Sequence, residues 1–203
     1  MKKEKQKKEK ILWQGISDPY QVIAEFFFAD DLANSRKYLK RMLTAACSNT
    51  IFRKSSPGDL LHFSERLTGL MEAAYVIRKE DKKSPFLIEE HELFNPNLYC
   101  GWHSYCTNWD FFPRSLSRKE YINPYCVFPR FFGYHEMPEW KEELRHLVEY
   151  ALLRDSIYDV SLPIDSLATY AHMTKLIEAA HLIDVREINH IEGKIKNRAK
   201  EKW

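Results

Sequence analysis

Glycine is scarce in this chain, at 6 of 203 residues. Phosphate-binding loops and Rossmann turns depend on clustered glycine, and neither motif is present. No Gly-x-Ser-x-Gly elbow occurs, so nothing points to a serine-hydrolase arrangement. Cysteine is sparse as well: four residues do not make a disulfide scaffold. No run of about 18 apolar residues exists, which argues against a transmembrane helix. The charged opening MKKEKQKKEK leads into ILWQGISDPY, which lacks the apolar run of a secretory signal. These absences lead to the expectation of a soluble cytoplasmic protein with no membrane partner.

Net positive charge is missing from the middle of the chain. Residues 1–10 and 194–203 together carry 11 of the 31 Lys and Arg but 3 of the 29 Asp and Glu. The remainder keeps 20 basic and 26 acidic side chains. Nucleic-acid binders usually place their positive charge on the folded domain. Here only the ends are basic, so any nucleic-acid partner is expected through those tails.

Abundant Leu, Ala, Glu and Lys with little Gly favours helix. The length fits one domain with tails: a basic lead over 1–12, a helical domain over 13–193, and a basic tail over 194–203. The first helix is expected from Asp18-Pro19, with Val22, Ile23, Phe26, Phe27, Leu39, Met42 and Leu43 on its apolar face. Its phase slips at Asp30-Asp31, which predicts a kink or two abutting helices. Arg36, Lys37, Lys40 and Arg41 share a face that reads as solvated, or as a phosphate-binding patch.

A second helix starts at Ser56-Pro57 and carries the stripe Leu60, Phe63, Leu67, Leu70, Met71, Ala74 and Ile77. With the first it reads as an antiparallel hairpin. Ser84-Pro85 opens a short segment running to Phe94. A further helix is predicted from near Pro138 to about Asp155. The last begins after Leu162-Pro163-Ile164-Asp165 and runs through Ile188 and Ile191 to a stop at Gly193. It is apolar around more than half its circumference, which marks it as the central helix.

Between these helices lies the unusual part, residues 94–137, followed at once by Pro138 and Trp140. Phe94 to Trp140 holds 14 of the 28 aromatic residues, three of the four cysteines and five of the nine prolines. It echoes itself: Asn95-Pro96 recurs as Asn123-Pro124, and Phe112-Pro113-Arg114 as Phe128-Pro129-Arg130. Asn-Pro favours turn initiation and Phe-Pro an extended backbone. The stretch is therefore expected to be a long ordered loop with short pieces of structure.

Three readings suit it. Its rings can pack as a small core that closes the bundle. They can present a surface, since Trp, Tyr and Arg are the residues that anchor interfaces. On that reading Trp102, Tyr105, Trp109, Arg114, Tyr121, Arg130 and Tyr134 meet a protein or a small planar ligand. Or Cys100, His103, Cys106 and Cys126 bind zinc, although Cys-x2-His-x2-Cys is not a usual zinc spacing. A rival metal site is helical. Glu143 with His146, and Glu178 with His181, are Glu-x-x-His pairs of the kind that hold two iron or manganese ions in bundles. Glu25 and Glu65 or Glu72 are then the extra carboxylates.

The sequence thus predicts an all-α protein: four to five helices in an up-down bundle with the aromatic-rich segment packed on it. Its leading function is binding or regulation through the aromatic-arginine surface, without a cofactor. Metal binding, of zinc or iron, is the runner-up, and nucleic-acid binding through the tails the third.

Overall fold

The computed structural model describes residues 18–53, 55–79, 88–100, 108–191 and 194–197. The protein is all-α, built as a helical bundle with one short hairpin at its C-terminal end. No helix among the described residues is long and apolar enough to cross a membrane.

The first predicted helix is two. Helix α1 spans Pro19–Ala29, with the Asp18 carboxylate accepting from the Tyr20 N–H at 2.9 Å and Pro19 in the first turn. Asp30 is extended, Asp31 caps the next turn by accepting from the Asn34 N–H at 2.7 Å, and α2 follows over Leu32–Ala46. The slip in hydrophobic phase is this break. Helix α3, Pro57–Arg78, opens with a reciprocal box between Ser56 and Asp59.

Past the expected hairpin partner, however, α3 packs mainly on α1. Helix α2 touches α3 only slightly and lies instead against the two long C-terminal helices. Those helices are α7, Met137–Leu152, and α8, Ser166–Glu187. Helix α7 starts one residue before Pro138 and ends three short of Asp155.

Between α3 and α7 the aromatic stretch is more helical than a loop. It contains a 3-10 turn at Pro96–Leu98, α4 at Asn108–Phe111, α5 at Arg118–Ile122, a second 3-10 turn at Pro124–Cys126, and α6 at Val127–Tyr134. The Asn-Pro echo is structural, since each copy opens a 3-10 turn. The Phe-Pro-Arg echo is not. Phe112-Pro113-Arg114 is irregular, whereas Phe128-Pro129-Arg130 lies in the first turn of α6. A proline there costs no hydrogen bond, because the first four N–H groups of a helix have no partner within it. Of the Ser84-Pro85 segment, residues 80–87 lie outside the described ones, and a 3-10 turn at Glu90–Glu92 follows.

Helix α8 is the centre of the molecule. It packs on α1, α2, α3 and α6, and every residue from Leu176 to Ile183 is buried. It ends at Glu187, short of the predicted stop at Gly193. Ile188–Ile191 (β1) instead pairs antiparallel with Lys194–Asn197 (β2), in the register Ile188 to Asn197 and Ile191 to Lys194. The β-branched Ile188 and Ile191 suit an extended chain as well as a helix, so four residues of the predicted basic tail are strand.

Candidate functional site

A helix buried on all sides must satisfy whatever polar groups it carries. Helix α8 carries Glu178 and His181 in the middle of its buried run and Arg186 near its end. All three reach the backbone of the aromatic segment. Glu178 is wholly buried and accepts from the N–H groups of Arg114 and Ser115 at 3.0 and 2.8 Å. His181 Nε2 lies 2.9 Å from the Tyr99 carbonyl oxygen. Arg186 donates from Nε to Leu98 O at 2.9 Å and from Nη1 to Tyr121 O at 2.6 Å.

Arg36 completes the seam from α2. It donates to the Asp110 and Phe112 carbonyls at 3.0 and 2.9 Å and pairs with Glu178 at 2.5 Å. Its side chain is 12% exposed. The basic face to which the sequence assigned it therefore loses Arg36, while Lys37 and Lys40 do face solvent.

Above this seam stands a row of rings. Phe112 stacks with both Phe94 and Trp109, with centroids 6.2 Å apart at 20° and 5.9 Å apart at 4°. Phe94 is 76% and Trp109 67% exposed. Phe112 also meets the edge of buried Tyr99 at 5.0 Å and tilts against Tyr121 at 5.9 Å, so it joins the exposed rings to the interior. The Arg114 guanidinium sits 5.7 Å from the Trp109 ring and donates to the Trp109 carbonyl at 3.3 Å. Its Nη2 is 3.8 Å from Asp110.

The five described residues of the seven singled out as a binding surface thus part company. Trp109 and Arg114 stand together in this platform. Tyr121 is buried beneath it: its hydroxyl donates to Leu93 O at 2.9 Å, and burial raises its phenol above the ordinary range. Arg130 pairs with Glu120 at 3.0 Å. Burial alone would raise the Glu120 carboxyl, but the Ser117 N–H and the Lys175 ammonium at 3.0 Å override it and hold it at about 2. Tyr134 belongs to a separate cluster toward the start of α8, stacked on His172 at 4.4 Å and edge-on to His135 at 4.5 Å. Burial pulls the His172 imidazole below its usual value, helped by Lys175 and His135. Trp102 and Tyr105 lie outside the described residues.

Among the described residues the metal candidates are not brought together. No group of three or more His, Cys, Asp or Glu side chains is placed to hold an ion among the described residues. Of the four cysteine-site residues, His103 and Cys106 lie outside them, while Cys100 and Cys126 are half-buried thiols that burial pushes up.

The helical pairs have other partners. Glu143 accepts from the Thr169 hydroxyl and faces His135 Nε2 at 3.1 Å, and His146 lies on the surface beside Glu142 at 3.4 Å. Thr169 and Glu178 are nine residues apart on α8, roughly 13 Å along the axis, so Glu143 and Glu178 cannot share one site. Glu25 accepts from Gln21, Glu65 sits 3.9 Å from His62, and Glu72 pairs with Lys141.

Arg36, Glu120, Lys175 and Arg186 were missed as contributors. One signal was available: a charged residue inside a helix that is otherwise apolar all round requires a distant polar partner. Set beside models of protein families, curated proteins and solved structures, the chain has no match in any of the three.

Proposed function

We propose that this is a binding protein whose interaction face is the ring platform Phe94, Phe112 and Trp109 with Arg114, and that the partner is a protein segment inserting an apolar or aromatic side chain against those rings. The observation that carries it is the pairing of two opposite properties. Phe94 and Trp109 are among the most exposed large side chains described, yet they stack on a residue whose carbonyl is fixed by a buried ion pair. Rings held in place before a partner arrives lose little entropy on binding. Trp and Arg are also the residue types in which interface energy concentrates.

The test is a peptide-display library panned on the whole chain and, in parallel, on the variant Phe94→Ala/Trp109→Ala. Peptides enriched on the natural chain are expected to bind the variant at least about tenfold more weakly, at an unchanged melting temperature. Enrichment of the same peptides on both, or on neither, would overturn the proposal.

A further inference from the structure

The charges around the ring platform are unevenly spread. At the Trp109 end they are basic. Arg36 on α2 donates to the Asp110 and Phe112 carbonyls, which places that face of α2 beside α4. Lys40 is one helical turn after Arg36, with Cβ atoms about 6 Å apart, and Lys37 is its neighbour three residues back. Both lysines are exposed, and neither has an ion pair among the described residues. That sets them apart from Arg36, Arg66, Arg118, Arg130, Lys141 and Lys175, each of which meets a carboxylate. Arg114, beside the Trp109 ring, is offset by Asp110 at 3.8 Å, so the uncompensated cations here are Lys37 and Lys40.

At the Phe94 end they are acidic. The 3-10 turn just before Phe94 carries Glu90 and Glu92 and is preceded by Glu89. Arg118 neutralises Glu90 at 2.9 Å. The Glu92 carboxylate accepts from the Glu89 N–H at 3.4 Å. Glu89 faces the His91 imidazole at 3.4 Å, which is not a permanent cation. Phe94 and Trp109 stack on the same Phe112, so one apolar surface joins the two charged ends. The rings hold whatever inserts there, and the charges decide which way round it lies.

We infer that the protein segment taken by the platform is electrically lopsided: acidic residues on one side of its apolar or aromatic anchor meet Lys37 and Lys40, and the other side, which lies against Glu89 and Glu92, carries none. This rests on the platform being the interaction face and adds to it a charge pattern and a direction. A nucleic-acid strand can also stack on rings, but it carries phosphate along its whole length and would have to lie against Glu89 and Glu92.

Peptides selected on the full chain from a random display library, and kept only if they fail to bind Phe94→Ala/Trp109→Ala, are the probe. They should carry Asp or Glu on one side of a shared aromatic or apolar residue, always the same side. Lys37→Glu/Lys40→Glu alters two exposed positions, so it should melt as the natural chain does and bind these peptides at least about tenfold more weakly, with the difference shrinking at high salt. Selection on that variant should give Lys or Arg on the same side instead. If the variant fails to fold, the charge pattern selected by the natural chain decides the matter. Ring-dependent peptides without a charge bias, or with equal affinity for both chains, would overturn the inference and leave the platform as the interaction face. Displacement of the peptides by an equal concentration of single-stranded oligothymidylate would overturn it as well, because the acidic end would then not exclude a phosphate chain. No ring-dependent peptide at all would overturn both.

Discussion

The interior of the helical bundle and the seam between α8 and the aromatic segment are held by different forces. In the bundle, Leu39, Met42, Phe63, Leu67, Leu70 and Trp140 are fully buried against one another. Their attraction is non-directional and scales with the area covered. In the seam, Arg36, Glu178, His181 and Arg186 grip the carbonyl and amide groups of Leu98, Tyr99, Asp110, Phe112, Arg114, Ser115 and Tyr121. A segment held by its backbone need not spend every side chain on holding itself. That frees Phe94 and Trp109 to face outward while Phe112, on which both stack, stays fixed.

The two regions should therefore fail differently when altered. The largest expected effect is in the bundle: Trp140→Ala, which also loses a 3.1 Å bond to Phe131 O and a 4.3 Å stack on Phe131, should cost about 3–5 kcal/mol in chemical denaturation. Next comes Glu178→Leu, at about 3–4 kcal/mol, because it leaves Arg36 buried without a counter-charge. Here the regions diverge. Adding Arg36→Met should recover more than about 1 kcal/mol of that loss, whereas a second truncation in the bundle only adds to the first. A cycle that shows simple additivity at Arg36 and Glu178 would erase the distinction.

Acid should find the charged contacts first. The Glu120 carboxyl is depressed in the folded protein to about 2, from an ordinary 4.5. Its contribution is therefore complete above pH 4.5 and lost as pH falls through about 2, a drop on the order of 3 kcal/mol that Glu120→Gln should abolish. The His172 imidazole is also depressed, so its contribution is present above pH 6.5 and declines as the pH falls. Urea midpoints of His172→Gln should lose the slope seen just below pH 6.5. The smallest effect on stability belongs to the platform: Trp109→Ala should change the folding free energy by about 0.5 kcal/mol or less, even as it removes the proposed binding.

The bundle was legible in the sequence because its signals are local. Ser56-Pro57 and the stripe from Leu60 to Ile77 give α3 directly, and the slip at Asp30-Asp31 marks the joint between α1 and α2. The all-round apolar character of α8 identified the central helix. The charged residues of α8 signal that the seam exists, but its partners were illegible because they are remote. Glu178 and His181 announce themselves as a one-turn pair, which spacing reads as metal ligands. Their true partners are backbone groups far away in sequence, and Arg36 comes from 142 residues away. Backbone donors and acceptors leave no trace in residue identity. Arg36 was concealed by its basic neighbours, which do face water. The hairpin at Ile188 escaped for another reason, since β-branched residues at 188 and 191 satisfy a helical and an extended pattern alike.

Amide hydrogen exchange at Arg114 and Ser115 tests the central claim, that a buried carboxylate on α8 fixes the platform. Both N–H groups donate to Glu178. In the natural chain they should exchange as slowly as the amides of α8. In Glu178→Gln they should exchange at least about tenfold faster, while amides in α3 and α7 slow or quicken by far less. Rapid exchange at Arg114 and Ser115 in the natural chain, or unchanged protection in Glu178→Gln, would contradict it.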